Sequence, residues 1–88
     1  MLCFFKVAGA VYNPDTEGME MASIGEARIE AARYIGELIR DKPHIVWEGE
    51  EVRVEVTDAN QLVLFTIITV GVDSAAVKGS FGLGPSSA

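Results

Sequence analysis

Asn13, Asp15, Glu17 and Gly18 occupy the first, third, fifth and sixth positions of the stretch NPDTEGMEMASI, residues 13–24. Oxygen-bearing side chains at the first three of those positions, with glycine at the sixth, begin an EF-hand calcium loop. The match fails at the twelfth position, where a bidentate glutamate is needed and Ile24 stands. It fails again upstream, because a helix should lead into the loop and the residues before Asn13 read as a strand. Losing the bidentate glutamate removes two of about seven ligand oxygens. No calcium site is therefore expected, and the stretch reads as a polar turn that joins two strands and feeds a helix.

The remaining candidates for chemistry are few. Cys3 and His44 form the one nucleophile–base pair that the composition allows. A thiol in a strand beside aromatic residues behaves as a small hydrophobe rather than a thiolate, and nothing in the spacing brings His44 to it. A single cysteine and a single histidine make no zinc set, and no ligand pair has the usual spacing. Glu48, Glu50, Glu51 and Glu55 read as a solvated acidic edge. Lys78-Gly79-Ser80 and Gly82-Leu83-Gly84 lack the strand-loop-helix order of a phosphate loop. The sequence thus offers no catalytic residue, cofactor site or metal site, and the chain is read as a non-enzyme.

Arg28 is a different kind of candidate. On a helical wheel it falls between Ile35 and Ile39, inside an apolar stripe, where it could hold an anionic ligand. The plainer expectation is a structural polar contact, in which Arg28 lies along the core edge and pairs with Asp15 or Glu17.

The elements that would position these residues follow from periodicity. MLCFFKVA alternates as a strand, with Cys3, Phe5 and Val7 on one face. After the Pro14–Gly18 turn a short return strand, GMEM, can pair with it. Ser23-Ile24-Gly25-Glu26 spells a capping box. From there Ile24, Ala27, Ala31, Tyr34, Ile35 and Leu38 recur at helical spacing as an apolar face. Pro43 predicts an end near Asp41-Lys42. The segment PHIVWEGE reads as an irregular connection in which Trp47 is the expected anchor. Val52, Val54 and Val56 alternate with charged residues as an inward-facing strand row. Asp58–Gln61 is loop material, and LVLFTIITV is a strand apolar on both faces. The expected fold is α+β: a β-β-α-β-β domain over residues 1–78, its helix packed on an antiparallel sheet, followed by a flexible Gly/Ser/Pro-rich tail at 79–88.

Composition bounds the rest. The chain has 88 residues and is 49% hydrophobic, enough for one small core. Its net charge is −6, with 13 acidic residues against 7 scattered basic ones, which disfavours a nucleic-acid partner. The longest apolar run, residues 62–72, falls well short of the roughly 20 residues of a membrane helix. The N-terminus lacks the basic segment of a signal peptide, and Lys6 interrupts its apolar run. With one cysteine, the chain is read as soluble and cytoplasmic, without a membrane partner.

The sequence resembles a family of short, uncharacterised bacterial proteins grouped as a domain of unknown function. The resemblance rests on an aromatic pair in the first strand (Phe4-Phe5), Asp-x-x-Gly in the turn (Asp15 to Gly18) and Ala-Arg-x-Glu-Ala in the helix (Ala27, Arg28, Glu30, Ala31). An alternating strand ending in Asp completes it (Val54, Val56, Asp58), and it covers roughly residues 3–70. Lys6 stands where many members carry histidine, and Asn60 where glycine is common. The resemblance implies an α+β fold and no assigned activity.

One functional expectation comes from the last strand. A single covering layer cannot bury Val63, Phe65 and Ile67 together with Leu64, Ile68 and Val70. An apolar patch of that size calls for a partner, and a homodimer is the simplest one. Val63, Phe65 and Ile67 are the expected interaction surface, with Ile29 and Gly36 on a second shallow surface of the helix. The chain is accordingly read as a non-catalytic protein-interaction or oligomerisation module. The alternatives are a small-molecule binder or small enzyme without a recognisable motif, and a nucleic-acid-linked regulator that the charge opposes.

Overall fold

A computed structural model of the protein describes residues 1–79. The chain runs β1 (Leu2–Gly9), β2 (Met19–Glu20), α1 (Ile24–Asp41), a 3₁₀ turn (Pro43–Trp47), β3 (Val52–Thr57), β4 (Val63–Thr69) and α2 (Ala75–Gly79). From Ser80 onward the expected tail lies outside the described residues. The strands form one four-stranded antiparallel sheet in the order β2-β1-β3-β4, so the fold is α+β. Among the described residues, the periodicity foresaw neither the 3₁₀ turn, read as an irregular connection, nor the five-residue α2.

The capping box works nearly as spelled. Glu26 N–H donates to the Ser23 hydroxyl oxygen at 3.1 Å, and the Glu26 carboxylate accepts from Ala22 N–H at 2.8 Å, one residue further back than the usual pairing. At the other end Lys42 N–H donates to the Leu38 carbonyl at 2.9 Å, just before Pro43 stops the helix. The buried stripe of α1 is Ala27, Ala31 and Ile35. Tyr34 and Leu38 sit half-buried at its margin, and Ile24, expected inside, is exposed. Two alanines in the contact row let the helix backbone lie close to the sheet.

Beneath the helix, Cys3, Phe5 and Val7 of β1 meet Val52, Val54 and Val56 of β3, with Met21 and Ile45 closing the cluster. Phe5 lies opposite Val56, and Val7 opposite Val54. Each fully buried valine contributes about 1.5–3 kcal/mol relative to an exposed one. The anchor of the PHIVW segment is Ile45, which is buried, while Trp47 is 61% exposed. That reverses the expectation for Trp47: the 3₁₀ turn directs Ile45 inward and leaves the indole on the surface, against Gly71. At the end of β1, Gly9 has φ +96°, and a Cβ there would lie 2.0 Å from the Glu51 carbonyl oxygen. Only glycine fits this close approach.

Candidate functional site

The two edges of the sheet are unlike each other. β2 is two residues long, whereas β4 runs seven residues, pairs among the described residues with β3 alone, and carries neither charge nor proline. Short or charged edge strands resist further pairing, and long uncharged ones invite it. β4 is therefore the long, uncharged edge of the sheet.

Its side chains divide between two faces by register. Phe65 lies opposite Val56 and Ile67 opposite Val54, so both face the helix layer and pack, half-buried, against the core. Thr66 lies opposite Glu55 and Ile68 opposite Arg53 on the other face of the sheet. A register shift between Val56 and Thr57 then changes the alternation, because Leu64 is the extra residue and Val63 pairs with Thr57. Val63 is therefore not in line with Phe65 and Ile67, as strict alternation required; it shares the outer face with Thr57. The exposed apolar residues at this edge are Val63 (50%), Leu62 (63%), Ile68 (62%) and Val70 (56%). Two residues of the expected surface, Phe65 and Ile67, thus belong partly to the core, and Ile68 and Val70 take their place. The signal for Ile68 and Val70 was in the two-faced run itself; the bulge that turns Val63 out of line with Phe65 cannot be read without the pairing partner.

The other expected surface residues lie elsewhere. Ile29 is 62% exposed on α1, and Gly36 is exposed, with nothing beyond its own helix backbone within 4 Å of a Cβ built there. The helix packs chiefly on β3 and the 3₁₀ turn, so these positions do not extend the β4 surface. Beyond β4, Gly71 N–H donates to the Val46 carbonyl at 3.0 Å, and the Trp47 ring lies over Gly71. Trp47, Val70 and Val72 border a shallow groove of about 300 Å³ there.

The outer face beside β4 is ionic at its centre. Arg53 Nη1 lies 2.6 Å from Glu51 Oε2, and Arg53 Nε lies 3.4 Å from Glu55 Oε2, an ion pair without hydrogen-bond alignment. A backbone hydrogen bond within Glu51, then Arg53, hold the Glu51 carboxyl below its ordinary value.

The calcium-like stretch forms a second feature. The Asp15 carboxylate accepts hydrogen bonds from the N–H groups of Phe5 (2.8 Å), Gly18 (3.1 Å) and Glu17 (3.2 Å). Partial burial pushes its pKa up, but those three donors and Lys6 outweigh burial and hold it below the ordinary value. The expected Arg28–Asp15 contact is not made. The Arg28 side chain is exposed and makes no hydrogen bond or ion pair among the described residues, while the Asp15 oxygens face backbone N–H groups. Asn13, whose Nδ2 donates to Tyr34 Oη at 3.2 Å, borders a cleft of about 280 Å³ with Asp15, Glu17 and Glu30. No group of three or more His, Cys, Asp or Glu side chains among the described residues could hold a metal ion.

Cys3 is fully buried, and burial pushes its thiol pKa up. His44 is exposed in the 3₁₀ turn, with Glu48 at 3.8 Å. No helix among the described residues is long and apolar enough to cross a membrane.

Neither the curated proteins nor the solved structures contain a match to this chain. A family model does match, over residues 2–70, the span from the first residue of β1 to just past the end of β4. The chain belongs to the domain of unknown function DUF6894.

Proposed function

We propose that this chain is a non-catalytic, cytoplasmic interaction module that associates with a second copy of itself through the open edge of β4. The observation that carries the reading is the seven-residue uncharged edge strand with exposed Ile68 within it and exposed Leu62 and Val70 at its ends. An edge of that kind on an isolated domain is a template for another strand, and soluble proteins cover or blunt it. The short β2 edge supplies the contrast within the same sheet. A second copy suits the edge electrostatically: each chain carries −6, but β4 itself brings no like charges together.

The basic residues favour a protein partner over a nucleic acid. Arg33 pairs with Glu30, Arg40 with Asp41, and Arg53 with Glu51 and Glu55, and the net charge of −6 outweighs the remaining scattered bases. The fully buried free thiol of Cys3 suits a reducing compartment.

The test is the mass in solution. Light scattering at tens of micromolar should give twice the 9.4 kDa of one chain. Ile68→Lys, a change at an exposed position, should give the single mass with an unaltered circular dichroism spectrum. A wild-type chain of single mass throughout that range would refute the reading.

A further inference from the structure

The hydrogen-bond parity of the sheet says more than that β4 is open; it says which of its backbone groups are free. Ala10 N–H donates to the Glu51 carbonyl at 3.1 Å, which continues the β1–β3 register by one residue beyond Gly9 opposite Val52. In an antiparallel ladder, hydrogen-bonded and non-bonded pairs alternate. Arg53 and Glu55, two and four residues beyond Glu51, therefore turn their N–H and C=O toward β1. Val52, Val54 and Val56 turn theirs toward β4. The residues opposite those valines are Thr69, Ile67 and Phe65, whose backbone groups are thereby used. Gly71, next in the same odd-numbered row, donates inward to Val46. The even-numbered residues Thr66, Ile68 and Val70 thus aim their N–H and C=O at the open edge. Leu64 is excluded from that row because it is the extra residue at the register shift.

Resting on the proposed self-association, we infer that two copies join antiparallel, β4 to β4, about a two-fold axis at Ile68, merging two four-stranded sheets into one. A two-fold pairing of strands requires each outward-facing residue to meet another outward-facing residue. With the axis at Ile68, Ile68 meets Ile68 and Thr66 meets Val70 of the other copy on either side, so all three free residues are bonded. An axis at Ile67 pairs Thr66 with Ile68 and leaves Val70 unbonded. An axis at Thr66 would pair Ile68 with Leu64, which the bulge has turned out of the row. The Ile68 axis also brings together on one face the exposed side chains of Ile68 and Val70. No charged side chain of β4 meets a like charge, because β4 has none.

Single-cysteine crosslinking of the full chain tests the register. Cys3 is fully buried, so an introduced thiol is the one that reacts. The two residues of a hydrogen-bonded antiparallel pair have Cα atoms about 5.5 Å apart, within the span of a disulfide. Under mild oxidant Ile68→Cys should pass largely into a disulfide-linked species of doubled mass. Thr66→Cys alone and Val70→Cys alone should not, whereas an equimolar mixture of those two should crosslink. Crosslinking by Thr66→Cys alone, or by a mixture of Thr66→Cys with Ile68→Cys, would overturn the Ile68 axis while leaving β4 self-association standing. A wild-type chain of doubled mass that crosslinks in none of these variants would place the interface elsewhere and overturn the β4–β4 pairing. A monomeric wild type would leave the edge to a strand of another protein and overturn the self-association along with it.

Discussion

The Asp15 carboxylate accepts a hydrogen bond from the Phe5 N–H at 2.8 Å, tying the turn after β1 back onto the strand it has just left. Its other oxygen accepts from Glu17 and Gly18 N–H, so one side chain organises the loop and satisfies a strand donor. Asp15 itself has φ +41°, a conformation that aspartate tolerates better than most residues.

Asp15→Ala should therefore lower stability by about 2 kcal/mol, because it strands a partly buried N–H as well as removing the loop contacts. Asp15→Asn, which keeps one acceptor oxygen, should cost less, about 1 kcal/mol. The pH dependence has a definite sign. The folded pKa lies below the ordinary 3.8, so the unfolded chain binds the proton more readily. The carboxylate's contribution is complete above the unfolded value and is lost as pH falls through the lower folded value. Urea midpoints measured at pH 7 and near pH 3 should show the gap between wild type and Asp15→Asn narrowing at the acid end. A gap independent of pH would mean that the charge on Asp15 does not matter to the fold.

Gly71 faces Trp47 so closely that any side chain must displace one of them. A Cβ at position 71 would lie 2.6 Å from the indole Cε3 and 2.8 Å from the Val46 carbonyl oxygen. Gly71→Ala should cost about 1–3 kcal/mol through the shift it forces. Because Trp47 is the chain's single tryptophan, the displacement can be read directly as a change in fluorescence maximum and in quenching by iodide. An unchanged emission spectrum with unchanged stability would show that the ring does not rest on Gly71 in solution.

These details explain how far the sequence could be read. Ser23 and Glu26 announced the start of α1 and Pro43 its end, because capping and proline geometry are local. Val52, Val54 and Val56 announced β3, since alternation needs no knowledge of neighbours. The choice between Ile45 and Trp47 as anchor was not local: both are apolar and two residues apart, and the 3₁₀ geometry decided between them. Arg28 was placed by the helical wheel, but its expected partner had already been taken by the backbone of Phe5, Glu17 and Gly18. The same limit governed the candidate surface. That the last strand had two apolar faces was plain from Leu62 to Val70. That Val63 left the row of Phe65 and Ile67 depended on a bulge at Leu64 that exists only in relation to Val56 and Thr57.

Thr57 sits beside that bulge and offers the last prediction. It is 97% buried, the complement of its 3% exposure, and its hydroxyl oxygen has no hydrogen-bond partner among the described residues. Phe4 lies opposite it on β1 and Val63 on β4. A buried hydroxyl without a partner carries its desolvation cost uncompensated, and a methyl group of similar size does not. Thr57→Val should accordingly raise stability by about 1 kcal/mol, visible as a Tm higher by roughly 4–8 °C for a domain of this size. Thr57→Ser keeps the hydroxyl and removes the methyl from a packed site, so it should lower the Tm instead. The opposite order, with serine tolerated and valine destabilising, would show that the hydroxyl is hydrogen-bonded in solution and that the strand end beside Val63 is held by that bond.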